Sequence, residues 1–223
     1  MTSITTNHII HGDAVNQLAQ MPDSSVDLII TDPPYLVGYR DRTGREIAND
    51  RNPDGVLPAI GEMARVLKSD SYMVVFCGWV AIDRFSNAWA EAGLRSVGQI
   101  FWRKSYASRT WHTECRHESA WLLAKGRPAK PQTAVSDVQE WIYSGNRYHP
   151  TEKAVDILTP LVRAYSKPGA TVLDPFSGSG STSVAAALAG RNSIGIELEE
   201  RYCAYARNRL SGVARYRERR TAA

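Results

Sequence analysis

At 223 residues, 43% hydrophobic and 22% charged, the chain is long enough for one domain with a real core and too apolar to be disordered. No apolar run approaches the roughly 18 residues of a membrane span, and "MTSITTNHIIHGD" lacks the basic and long apolar regions of a signal peptide. The net charge of +4 allows a polyanionic partner, while Cys77, Cys115 and Cys203, scattered without a CxxC pair, predict free thiols in a reducing, cytoplasmic setting rather than disulfides or a zinc site.

Strand-like and helix-like segments alternate along the chain. "HIIHG" (8–12) and "VDLIIT" (26–31) read as strands flanking a short helix over 14–20. A polar stretch over 36–54 follows, then a helix over 55–67 and a continuous apolar run, "YMVVFC" (72–77), short enough for a buried parallel strand. The spacing predicts a helix over 80–93 and strands over 96–102 and 118–124. After a second unassigned stretch, 126–150, come a helix (151–166), a strand (170–174), a helix (181–190), a strand (192–197) and a last helix from about Glu199. Such alternation predicts a single α/β domain over 1–223, with a mostly parallel sheet and helices on both faces. Segments 36–54, 103–117 and 126–148 follow strand ends, where open α/β sheets bind ligands, and are the expected substrate-facing loops.

Two motifs carry chemistry. In "VLDPFSGSGSTSVAAALAG" a strand ends at Asp174, a turn with Gly178 and Gly180 follows, and a helix begins near Ser181. Glycines allow positive φ and close ligand approach, and the helix start offers free N–H donors. "NSIGIE" ends a second strand with Glu197, placed to accept hydrogen bonds from a ribose. A P-loop is excluded because no lysine follows Gly180, and Asp174 would repel a pyrophosphate. The acid suits a cofactor with a cationic amino-acid end, such as S-adenosylmethionine. The second motif is "DPPY", Asp32 to Tyr35, directly after the strand "VDLIIT". Its prolines fix φ and donate no hydrogen bonds, so carbonyl acceptors are held rigidly beside a carboxylate and a flat ring.

Together these residues resemble the β-class, circularly permuted amino-methyltransferases of DNA. "DPPY" resembles their catalytic motif, "DPFSGSGS" their methionine-binding loop and "GIE" their ribose-binding strand end. "HGDAVNQLAQMPDSSVDLIITDPPY" (11–35) and "HPTEKAVDIL" (149–158) extend the likeness. The resemblance implies a Rossmann-like methyltransferase fold: a mostly parallel seven-stranded sheet with one antiparallel strand and helices on both faces. It implies S-adenosylmethionine as cofactor, double-stranded DNA as substrate, no metal, a flipped target base and often a homodimer. Asp32, Pro33, Pro34 and Tyr35 become the catalytic set, with adenine N6 as the target amine. Cytosine N4, or a non-catalytic DNA-binding subunit on the same fold, stand as alternatives.

By the same resemblance, Asp13, Thr151, Lys153, Asp174, Phe176, Ser177, Gly178, Gly180, Thr182 and Glu197 are the implied cofactor contacts, with Lys153 pairing the cofactor carboxylate. Thr151 also reads as a helix N-cap after Pro150; His11 and His149 read as structural. Tyr39, Arg40, Arg42 and Arg45, with Arg103, Lys104, Arg109, Trp111 and Arg116, are the expected DNA contacts, since cations meet phosphates and flat side chains can fill the space of a flipped base. No segment is large enough for a separate target-recognition domain, so recognition falls to these loops or to a partner protomer.

Overall fold

The structure is a computed structural model that describes residues 7–41, 44–108 and 112–221. Among these residues eight strands form one sheet in the order β1-β8-β7-β2-β3-β5-β4-β6. They are β1 (His8–His11), β2 (Val26–Thr31), β3 (Leu67–Phe76), β4 (Leu94–Ser108), β5 (Cys115–Lys125), β6 (Val138–Glu140), β7 (Thr171–Asp174) and β8 (Asn192–Glu197). All pairings are parallel except those of β5, which runs against both β3 and β4. The expected seven strands and single reversed strand are present. The eighth, β6, is three residues inside the stretch 126–150, too short to leave a periodic signal.

Strand alternation divides the core in two. Ile29 of β2 and Met73 and Val75 of β3 face α1 (Ala14–Ala19), α2 (Pro58–Val66) and α3 (Ile82–Glu91), packing with Leu18, Met63 and Trp89. Leu28, Ile30, Val74 and Phe76 face the other way, onto α4 (Val155–Tyr165) and α5 (Ser181–Leu188), where Leu158, Leu161 and Ala186 complete the layer. The last helix, α6 (Glu200–Thr221), packs Cys203 and Ala206 against Ile9 of β1.

Three boundaries differ from expectation for physical reasons. The segment 103–117 is less a loop than a hairpin: β4 runs to Ser108 and β5 starts at Cys115, with Ser108 paired to Cys115. Polar side chains masked its alternation. The helix expected from 151 starts at Val155, with Ala154 as the capping residue in extended backbone and residues 151–153 outside the helix. Thr151 is therefore not the helix cap. The strand expected at 72–77 starts at Leu67, where solvent-facing Lys68, Ser69 and Asp70 hide it.

β2 and β7 are neighbours in the sheet, yet the chain leaves β2 toward β3 on one side and β7 toward β8 on the other. This is the topological switch point, where the carboxyl ends of parallel strands open a crevice. Asp32 follows one strand and Asp174 ends the other.

Candidate active site

That crevice is a cavity of about 420 Å³, within the range of small-molecule sites. It brings together residues far apart in sequence. All four residues of "DPPY" line it, as do Asp13, Thr151, Lys153, Asp174, Phe176, Ser177, Gly178, Thr182 and Glu197. The two expected centres are thus one continuous space. The physical bridge between them is Thr31, whose hydroxyl donates to Asp174 Oδ1 at 3.0 Å.

Asp174 is buried at the end of β7, held by the hydroxyls of Thr31 and Thr182 and by the amide of Phe176 at 3.2 Å. Burial pushes its carboxyl up to about 7; those three hydrogen bonds pull the other way without offsetting it. A carboxyl in that condition gains from an approaching cation. Glu197 ends β8 with Oε2 accepting from the Gly178 amide and Oε1 from the Glu199 amide, both at 2.8 Å. Its burial raises the carboxyl above the ordinary glutamate range, with the backbone donors opposing. Asp13 stands after β1, where Oδ1 accepts from the Asn16 amide at 3.0 Å and caps α1.

The two glycines of the loop have different reasons. Gly178, at φ 49°, lies under the His149 ring, which a Cβ would approach to 3.4 Å. Gly180, at φ 80°, abuts α6: a Cβ there would lie 2.7 Å from that of Ala206. Gly180 does not line the cavity, so helix packing, and not ligand approach, explains it. His149 itself is held down to about 4, first by burial and then by the cations Lys153, Arg201 and Arg45. It accepts from the Thr151 amide, packs edge-on to Tyr202 and also lines the cavity.

On the other side of the crevice, Tyr35 donates its hydroxyl to Asp32 Oδ1 at 2.7 Å. Burial and then the nearby Asp32 charge raise the phenol well above its ordinary value, so it remains a donor. The ring lies against Gly78, where a Cβ would come within 3.3 Å of it. Lys153, 9% exposed, donates to Asp32 Oδ2. It was expected at the cofactor; the structure puts it on the carboxylate of the catalytic motif.

The loop after "DPPY" is organised by Asp50, 4% exposed, whose two oxygens accept from the Leu36 amide at 2.9 Å and the Tyr39 amide at 2.5 Å. Of the expected DNA contacts, Tyr39 lines the cavity, and Arg40 and Arg45 stand on this loop paired to Glu46 and Asp41. Arg103 and Arg116 are exposed on the hairpin, paired to Glu140 and Glu114. Arg42, Arg109 and Trp111 lie outside the described residues. Lys104 is not on the outer surface of the hairpin: it is 7% exposed, bonded to Glu118 and lines the cavity. Sequence reading missed Glu118, Trp141 and Tyr143, which also line it. A signal was present: Ile100, Trp102 and Lys104 alternate along β4, and all three are buried.

A second missed group holds the loop from behind. Glu152, 8% exposed, accepts from the Tyr148 amide at 3.0 Å and the Ser179 hydroxyl at 3.3 Å, and lies 3.8 Å from Arg209 of α6. Arg209 donates to the Ser179 carbonyl and hydroxyl at 2.9 Å each. Arg209→Ala would leave a buried carboxylate without its cation, a loss of about 3 kcal/mol. At 2–4 °C per kcal/mol for a chain of this size, thermal denaturation should show the melting temperature falling by about 5 °C or more.

Among the described residues no His, Cys, Asp and Glu cluster could hold a metal, and no helix is long and apolar enough to cross a membrane. The chain is 52% identical over 209 residues to YubD of Escherichia coli (strain K12), which carries the name of a methylase; the match covers 94% of this chain and 92% of that one. It is 29% identical to the DNA adenine methyltransferase YhdJ of the same organism, over 93% and 84% of the two chains. The M1.HpyAVI structure solved with S-adenosylmethionine superposes with a TM-score of 0.71 at 26% identity, covering 91% of this chain and 98% of that one. The cytosine-N4-specific PvuII DNA methyltransferase shares the fold, with a TM-score of 0.72 at 16% identity over 95% and 92% of the chains. The profile of the DNA methylase family matches residues 26–208, the span from β2 into α6 that contains both halves of the crevice, and the chain belongs to this N6/N4 DNA methylase family.

Proposed function

We propose that the protein transfers a methyl group from S-adenosylmethionine to N6 of adenine in DNA. The observation that carries this reading is the convergence of Asp32 and Asp174 on one cavity at the switch point, joined through Thr31. An aspartate heading the motif favours adenine over cytosine, where serine would be expected, and YhdJ, named for adenine, supports the same choice.

The bound cofactor supplies an electrophilic methyl on a sulfonium. The protein's residues do the rest by placement and electrostatics. An exocyclic amine is a weak nucleophile because its lone pair is conjugated with the ring. The Asp32 carboxylate and the Pro33 carbonyl, stiffened by two prolines, accept its hydrogens and draw the nitrogen toward tetrahedral geometry. Methyl transfer would leave S-adenosylhomocysteine and place positive charge on the nitrogen beside Asp32, whose carboxylate would stabilise it while one nitrogen proton passes to solvent on that side. Tyr35 offers the stacking face. A base inside a duplex cannot reach this crevice, so the nucleotide is extruded. Asp174 and Glu197 hold the amino-acid and ribose ends of the cofactor.

Arg40 and Arg45 contact the backbone at the cavity rim. The Arg40–Glu46 pair is exposed on both sides and weak enough to be exchanged for a phosphate, while Arg45 is exposed beside a mostly buried Asp41 and can add a phosphate contact. The double variant Arg40→Ala/Arg45→Ala should weaken DNA binding about 3–10-fold and lower the salt slope by about two contacts, leaving cofactor affinity unchanged. Fluorescence anisotropy across a salt series reads both.

Expression in a methylation-free host, with mass spectrometry of the digested DNA, tests the reading. N6-methyladenine is expected; N4-methylcytosine alone would move the target to cytosine, and no modified base would refute a DNA methyltransferase.

A further inference from the structure

Asp32 has a donor on each carboxylate oxygen: the Tyr35 hydroxyl on Oδ1 and the Lys153 ammonium on Oδ2. The two have different consequences. A phenol is neutral and fixes the carboxylate's orientation. An ammonium cancels the charge that Asp32 would offer to a nitrogen becoming cationic. The same ammonium lies 5.8 Å from the centre of the Tyr35 ring and 5.1 Å from that of Phe76, next to the surface on which a base would stack. With Lys153 there, Asp32 cannot serve as the amine acceptor and charge stabiliser at full strength.

Resting on the proposed function, we propose that Lys153 is a switch between two anions, the Asp32 carboxylate and the carboxylate of the cofactor's amino-acid end. Its four-carbon stem can swing a compact charge between neighbouring positions, and its backbone adjoins Thr151 and Glu152 on the wall facing Gly178 and Ser179. When the ammonium moves to the cofactor carboxylate, Asp32 Oδ2 is released for the target amine. Cofactor binding thereby prepares base binding, and Lys153 is a positioning residue that acts through Asp32. Linkage makes the coupling reciprocal: whatever removes the charge of Asp32 frees Lys153 for the cofactor.

A double-mutant cycle on cofactor affinity tests this without DNA, using S-adenosylhomocysteine, which keeps the carboxylate but has a neutral sulfur. Isothermal titration should show Asp32→Asn binding it about tenfold tighter than wild type, and that gain should shrink below twofold in a Lys153→Met background. Lys153→Gln replaces Lys153→Met if melting shows the latter misfolded. No gain in Asp32→Asn, or an equal gain in both backgrounds, overturns the switch while leaving the methyltransferase reading intact. Failure of wild type to bind S-adenosylhomocysteine would instead overturn the cofactor reading and the switch with it.

Discussion

Asp32→Ala is expected to lower the single-turnover rate of methyl transfer about 10³-fold while the protein still binds S-adenosylhomocysteine at least as tightly as wild type. The size follows from the role proposed for Asp32: a preorganised charge aimed at a nitrogen that becomes cationic is an oxyanion hole with the sign reversed, and loss of one such group costs about 10²–10³. The upper end applies because Asp32 also orients Tyr35 through the hydroxyl bond. Retained cofactor binding separates this from simple unfolding. The acids proposed for the cofactor, Asp174 and Glu197, come from β7 and β8, while Asp32 follows β2. Rapid-quench kinetics on enzyme saturated with both ligands, beside a titration, would measure the two quantities. A loss below tenfold would remove Asp32 from the chemistry.

Asp174→Asn should raise stability above neutral pH and weaken cofactor binding. The Asp174 carboxyl is raised to about 7 from an ordinary 3.8, burial being the main cause. Between about pH 4 and 7 the unfolded chain has released this proton and the folded chain still holds it, so stability falls as pH rises through that window. Above pH 7 the full cost is present, on the order of 2–4 kcal/mol. Asparagine Oδ1 keeps the acceptor for the Thr31 hydroxyl and the Phe176 amide, its Nδ2 can donate to the Thr182 hydroxyl, and it carries no charge. The variant should therefore melt about 5–10 °C higher than wild type at pH 8 and at nearly the same temperature at pH 4. It should bind S-adenosylmethionine about 100-fold more weakly, because no carboxylate then faces the cationic end. Melting curves at the two pH values and one titration check this; a variant less stable at pH 8 would contradict the burial argument. The site would then hold its acid at the expense of the fold, as functional sites often do.

What the sequence reveals depends on whether a feature is local. "DPPY" and "DPFSGSG" are contiguous, each tied to a strand end, so their positions at one edge of a parallel sheet could be read directly. Whether the two edges adjoin could not, because that depends on β2 pairing with β7, which brings Thr31 and Asp174 together across 143 residues. The partners of Lys104 and Lys153 are likewise set by register and rotamer. In the β4–β5 ladder Trp102 faces Glu118, which puts Lys104 two residues along within reach of that acid. In one dimension Lys104 is simply another member of a basic run. Gly180 looked like a ligand-approach glycine until α6 supplied Ala206 above it. Thr151 looked like a cap until the helix began at Val155.

On the proposed function, one crevice both carries a methyl donor and holds the amine that receives it. The most direct measurement incubates the purified protein with S-adenosylmethionine bearing a trideuterated methyl group and unmethylated DNA, then analyses the digested nucleosides by mass spectrometry. The account predicts deuterated N6-methyladenine with wild type and none with Asp32→Ala. Label on cytosine alone, label unaffected by Asp32→Ala, or no labelled nucleoside would contradict it.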